Sequence, residues 1–116
     1  MTIQEQFEQL EKTVRGYNPA ADFAQIRAAF EFAERSHAGQ KRKSGEPYII
    51  HPLAVAQIVA EELKLDSESI EAALLHDVIE DTPATHEEVS RLFSPTIADL
   101  VEGVSKLTRI QYATKE

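Results

Sequence analysis

Apolar residues recur every three or four positions from the start of the chain. Ile3, Phe7, Leu10 and Val14 would share one face of a helix. "GYNP" at residues 16–19 breaks the pattern. Asn18 is expected to cap a second helix, with Pro19 at its first position. Phe23, Ile26, Phe30 and Ala33 would face inward on that helix, which fades by His37. "AGQKRKSGEP", residues 38–47, is crowded with glycine, serine and proline and reads as a loop. "YIIHPLAVAQIVAEEL" then predicts a third helix beginning near His51 and Pro52, where a proline in the first turn breaks no helical bond. Asp66 or Ser67 would cap the next helix, carrying Ile70, Ala73, Leu74 and Leu75. Thr85 and Glu88 have the spacing of a capping box. Ser94 and Pro95 open one more helix, with Ile97, Leu100, Val101 and Val104 on its apolar stripe. No run alternates convincingly as a strand would, so the expected fold is all-α.

The 116 residues suffice for one compact domain. Twelve basic against twenty acidic residues give a formal charge of -8, which argues against non-specific nucleic-acid binding. The dense basic run Lys41-Arg42-Lys43 stands out against that background. Without cysteine there is no disulfide, thiolate nucleophile or zinc–thiolate site. "MTIQEQFEQLEK" is not a secretory signal, and no stretch is long and apolar enough for a membrane span. A cytoplasmic protein is the default expectation.

The chemistry gathers in "ALLHDVIEDT", residues 73–82. His76 and Asp77, with His51 from a neighbouring helix, offer imidazole and carboxylate donors suited to manganese, iron or zinc. Adjacent residues diverge by about 100° on a helix, so His76 and Asp77 could share an ion only near a helix end. Glu80 and Asp81 follow four residues after His76 and Asp77; on a continuous helix each pair would lie roughly on one face. A carboxylate beside such an ion can orient an attacking water or take its proton. The spacing alone also fits capping histidines and a solvated acidic helix exit. Likewise "KRKSG" is either a solvated loop or an anion site, in which arginine forks or stacks and lysine meets phosphate as a point charge. Tyr48 could stack on a base, but packing this loop against the helices is the commoner use; His37 would bond to the loop, and His86 would lie on a solvated surface.

Three long motifs, "HAGQKRKSGEPYIIHPLAVAQIVAEE", "AALLHDVIEDT" and "LVEGVSKLTRI", closely resemble the hydrolase domain of the bifunctional bacterial (p)ppGpp synthetase/hydrolases, the Rel/SpoT-type stringent-response enzymes. The resemblance covers the chain beyond about Tyr17. It implies a helical HD-domain bundle, usually manganese-dependent, that removes the 3′-pyrophosphate of guanosine tetraphosphate or pentaphosphate. By motif, His51, His76 and Asp77 would be metal ligands, Glu80 and Asp81 the acidic pair that activates water, Arg42 a neighbour of the guanine base, and Lys43 and Ser44 part of the nucleotide loop. Family members continue into helices that supply a further aspartate ligand and an asparagine. Residues 1–116 are therefore expected to be the N-terminal portion of one such domain, ending before its last helices, with homodimerisation a way to cover exposed core. A catalytically impaired nucleotide-binding or regulatory fragment, or an HD phosphohydrolase of another nucleotide, are the alternatives.

Overall fold

The computed structural model describes residues 2–103. Their elements are helical, and the one departure is an isolated antiparallel bridge between Lys41 and Pro47. Helix α1 (Ile3–Tyr17) opens with a reciprocal capping box: Thr2 Oγ1 accepts from Glu5 N–H, and the Glu5 carboxylate accepts from Thr2 N–H. It buries Phe7, Leu10 and Val14. Asn18 does not start the next helix. Its amide donates to Val14 O and closes α1 instead. Helix α2 (Phe23–Ser36) starts four residues after Pro19, where the Asp22 side chain accepts from Gln25 N–H. Its Phe30 stacks on Phe7 of α1 at 4.4 Å between ring centroids.

Helix α3 (Ile50–Ile58) begins without a side-chain cap and carries Pro52 in its first turn, as the sequence predicts. It runs into a π-helical turn, Val59–Leu63, which Lys64 ends in a left-handed conformation. The Tyr17 hydroxyl donates to Leu65 O at 2.6 Å and pins this turn's exit to the end of α1. Helix α4 (Ser67–Leu75), capped by Asp66, is the centre of the molecule. Every residue from Ile70 to Leu75 is buried, because α2 packs on one side and α3 on another, while α1 lies against α3. Short helices α5 (Val78–Asp81) and α6 (His86–Leu92) follow, the second capped by the Thr85–Glu88 box. Ser94 caps a helical stretch across residues 95–103 through Ile97 N–H. Val104, expected on that stripe, lies outside the described residues. Among the described residues no helix is long and apolar enough to cross a membrane.

Candidate metal centre

The end of α4 creates the centre. Helical bonding lapses at His76 and Asp77 and resumes at Val78, so α4 does not continue through Asp81 as one helix. The continuous helix that would stack His76 over Glu80 is therefore absent. The lapse does what an ideal helix cannot, bringing adjacent side chains to one point. His76 Nε2 lies 3.1 Å from Asp77 Oδ2, and His51 Nε2, from the first turn of α3, lies 3.5 Å from the same oxygen. One ligand atom from each of His51, His76 and Asp77 falls within 4.8 Å of the others.

The donor set is one that could hold a cation. His76 Nδ1 faces Ala73 O at 2.6 Å. A carbonyl only accepts, so Nδ1 carries the proton and Nε2 is left to face the cluster, the usual arrangement of a metal-binding imidazole. Burial lowers the His76 pKa, but the Asp77 hydrogen bond, the Ala73 carbonyl and the charges of Asp77 and Asp81 outweigh it and raise it. For Asp77, burial raises the pKa. The His76 hydrogen bond and charge, the Tyr48 hydrogen bond and the charge of His51 outweigh it, so the carboxylate is held ionised. Burial lowers the His51 pKa, with His76 and Arg42 adding to the effect against Asp77 and Asp81. Two imidazoles and an ionised carboxylate, partly withdrawn from water and converging on one point, can chelate a divalent cation.

Residues 40–48 form a small hairpin beside the centre. Tyr48 N–H donates to Gln40 O, Arg42 N–H to Glu46 O, and Gly45 N–H to Arg42 O. Lys43, Ser44 and Gly45 thus make a three-residue turn in which Gly45, at φ 90°, takes the left-handed position that favours glycine. Arg42, Lys43 and Ser44 are exposed at this tip, and the charge of Arg42 reaches His51. Glu80 and Asp81 are exposed on α5 and do not join the three-atom cluster, although Asp81 is linked to it through Tyr48.

The supporting residues are what the pattern of the chain leaves in the background. Tyr48 Oη donates its one proton chiefly to Asp77 Oδ2 at 2.9 Å, with Asp81 Oδ2 at 3.3 Å as the weaker arm of a shared bond. Burial, then the two carboxylates, push its pKa far up, so it remains a donor. The Gln40 amide donates from Nε2 to Asp81 O at 2.6 Å and turns its oxygen to His37 Nδ1 at 3.0 Å, which places the imidazole proton on Nδ1. His37 therefore does bond to the loop. His86 lies at the surface, as expected, where its Nε2 meets Asp99 Oδ1 at 3.0 Å and links α6 to the 95–103 stretch. A tyrosine three residues ahead of a candidate ligand is the signal that could have singled out Tyr48.

Residues 29–116 match the HD domain family model. The chain belongs to the HD domain family. It is 51% identical over 110 residues to the bifunctional (p)ppGpp synthase/hydrolase SpoT of Escherichia coli K12, covering 95% of this chain and 16% of that protein. It is 50% identical over 109 residues to the guanosine-3′,5′-bis(diphosphate) 3′-pyrophosphohydrolase of Aquifex aeolicus, covering 94% of this chain and 15% of the other. Among solved structures it is similar to a metazoan ortholog of SpoT described as hydrolysing ppGpp. The TM-score is 0.65 at 36% identity, over 68% of this chain and 46% of that one. This HD-domain chain is thus homologous to the Rel/SpoT proteins while spanning about a sixth of the length of the curated relatives it matches.

Proposed function

We propose that this chain is the N-terminal portion of an HD-type hydrolase domain that, in its full-length protein, removes the 3′-pyrophosphate of guanosine tetraphosphate or pentaphosphate in the cytoplasm. The observation that carries the reading is the convergence of His51, His76 and Asp77 on one point, with His76 Nε2 turned inward by the Ala73 carbonyl. The 51% identity to a protein named as a (p)ppGpp synthase/hydrolase supports the substrate.

In this reading His51, His76 and Asp77 hold a manganese ion. When bound, the ion supplies Lewis-acid polarisation of the phosphoryl oxygens. Glu80 and Asp81 orient the attacking water and take its proton. The water oxygen bonds to the phosphorus next to the 3′ oxygen, the bond between them breaks, and a proton ends on the 3′ oxygen. The products are GDP or GTP and pyrophosphate. Arg42 takes the guanine base, and Lys43 and Ser44 take the nucleotide's anionic part at the hairpin tip.

A manganese titration read by electron paramagnetic resonance, followed by pyrophosphate release from guanosine tetraphosphate, tests this. Saturable binding and manganese-dependent release are expected. His76→Ala should lower release by more than about 100-fold, beyond the usual loss from an outer-shell change. Retained manganese-dependent release in that variant would sink the ligand assignment. Nucleotide binding without release would favour a binding fragment.

A further inference from the structure

The hairpin that carries the cationic run is fastened to the metal centre through Tyr48. Its hydroxyl donates to Asp77 Oδ2, the same oxygen that His76 Nε2 and His51 Nε2 approach. An ionised carboxylate oxygen has lone pairs for two partners, so this one can accept from Tyr48 and still face an ion. The same hydroxyl reaches Asp81 Oδ2 at 3.3 Å.

The tyrosine ring is itself held. The His37 ring lies 4.7 Å from it between centroids, and the His51 ring meets it edge-on at 5.9 Å. Its backbone amide donates to Gln40 O to close the hairpin, and its carbonyl accepts from His51 N–H at the entry to α3. The ring thus contacts two imidazoles, while its hydroxyl lies between two carboxylates.

We propose that Tyr48 is a positioning residue of the metal centre, holding Asp77 in its ligating orientation and tying the Asp81 carboxylate to it. The proposal rests on the metal-centre reading above and adds to it a residue outside the ligand set. Without the hydroxyl, Asp77 loses the contact that restrains its carboxylate from the hairpin side, and the loss should appear in ion affinity. Outer-shell hydrogen bonds to metal ligands are worth about 10–100-fold in affinity.

Manganese titrations of the unsubstituted chain, Tyr48→Phe and Gln40→Ala provide the test. Tyr48→Phe keeps the ring and removes the donor. Gln40→Ala cuts another link from the hairpin to α5, the bond to Asp81 O, together with the bond to His37, and touches neither Asp77 oxygen. Tyr48→Phe should raise the manganese Kd by about 10-fold or more, while Gln40→Ala stays near the unsubstituted value. An unchanged Kd in Tyr48→Phe overturns the proposal. Equal weakening in both variants also overturns it, because Tyr48 would then be a hairpin anchor. Absence of saturable binding in the unsubstituted chain overturns the metal reading itself, a separate outcome. Fluorotyrosine labelling of the unsubstituted chain gives a readout independent of any variant's folding. Zinc ion should shift the Tyr48 fluorine resonance and leave that of Tyr17, bonded to Leu65 O, in place. A stationary Tyr48 resonance in the ion-bound chain counts against the proposal.

Discussion

Glu71 is a carboxylic acid in the middle of an apolar helix. It is 1% exposed, and one of its oxygens has no hydrogen-bond partner among the described residues. Burial, then the charges of Asp22, Glu68 and Asp66, push its pKa up to about 8 against a hydrogen bond from Gln25. The folded chain therefore holds a proton that the unfolded chain releases near its ordinary pKa of 4.5. Between those values the native state binds more protons, so this group's effect on stability becomes steadily less favourable as pH rises. The limiting slope is about 1.4 kcal/mol per unit. Below 4.5 both states are protonated and the effect is absent. Glu71→Gln should remove it, gaining on the unsubstituted chain between pH 5 and pH 7.5 in urea denaturation midpoints. Equal pH profiles would show that Glu71 ionises normally. Residues of this kind are poorly legible in a sequence. Glu71 looks like a helix-surface acid until α2 is laid over it. His51, His76 and Asp77 were legible as donors, but not the carbonyl that sets the His76 tautomer or the hydroxyl that meets Asp77.

Elements were legible where their ends are made locally. The Thr85–Glu88 box and the Asp66 cap form as the spacing implies, since each needs only three neighbouring residues. The start of α2 was misplaced because "NPAAD" contains two good caps, Asn18 and Asp22, and the amide of Asn18 is already committed to closing α1. The break at His76 and Asp77 has no glycine or proline to announce it. The hairpin was hidden for a related reason: its pairing is a single bridge, too short to print an alternating pattern. Its glycine nevertheless has a definite task. A Cβ at Gly45 would meet no atom within 4 Å, so the obstacle to a side chain there is the backbone angle alone. Gly45→Ala should cost about 1–2 kcal/mol in chemical denaturation. Under the proposed function it should also weaken nucleotide binding by moving Arg42, Lys43 and Ser44. An unchanged stability would mean the tip relaxes freely.

At the scale of the whole molecule, the centre exists only when α3 docks on α4, for His51 and His76 are 25 positions apart in the chain. The all-helical class follows from periodicity, but the partnering of helices does not. The burial of α4 from Ile70 to Leu75 has a consequence for time rather than place. An amide wrapped on all sides exchanges its hydrogen only when the entire domain opens, whereas the amides of an exposed hairpin tip, paired by a single bridge, exchange through smaller local openings. Native-state hydrogen exchange should therefore find the amides of residues 70–75 slowest and those of 41–46 fast, and a comparable rate in both would overturn this. His76 and Asp77 would ride on the slow unit, with His51 and Tyr48 at the edge of the fast one. A bound ion would then escape through brief opening of the hairpin side, and its residence time would be set there while the body of the domain stayed folded.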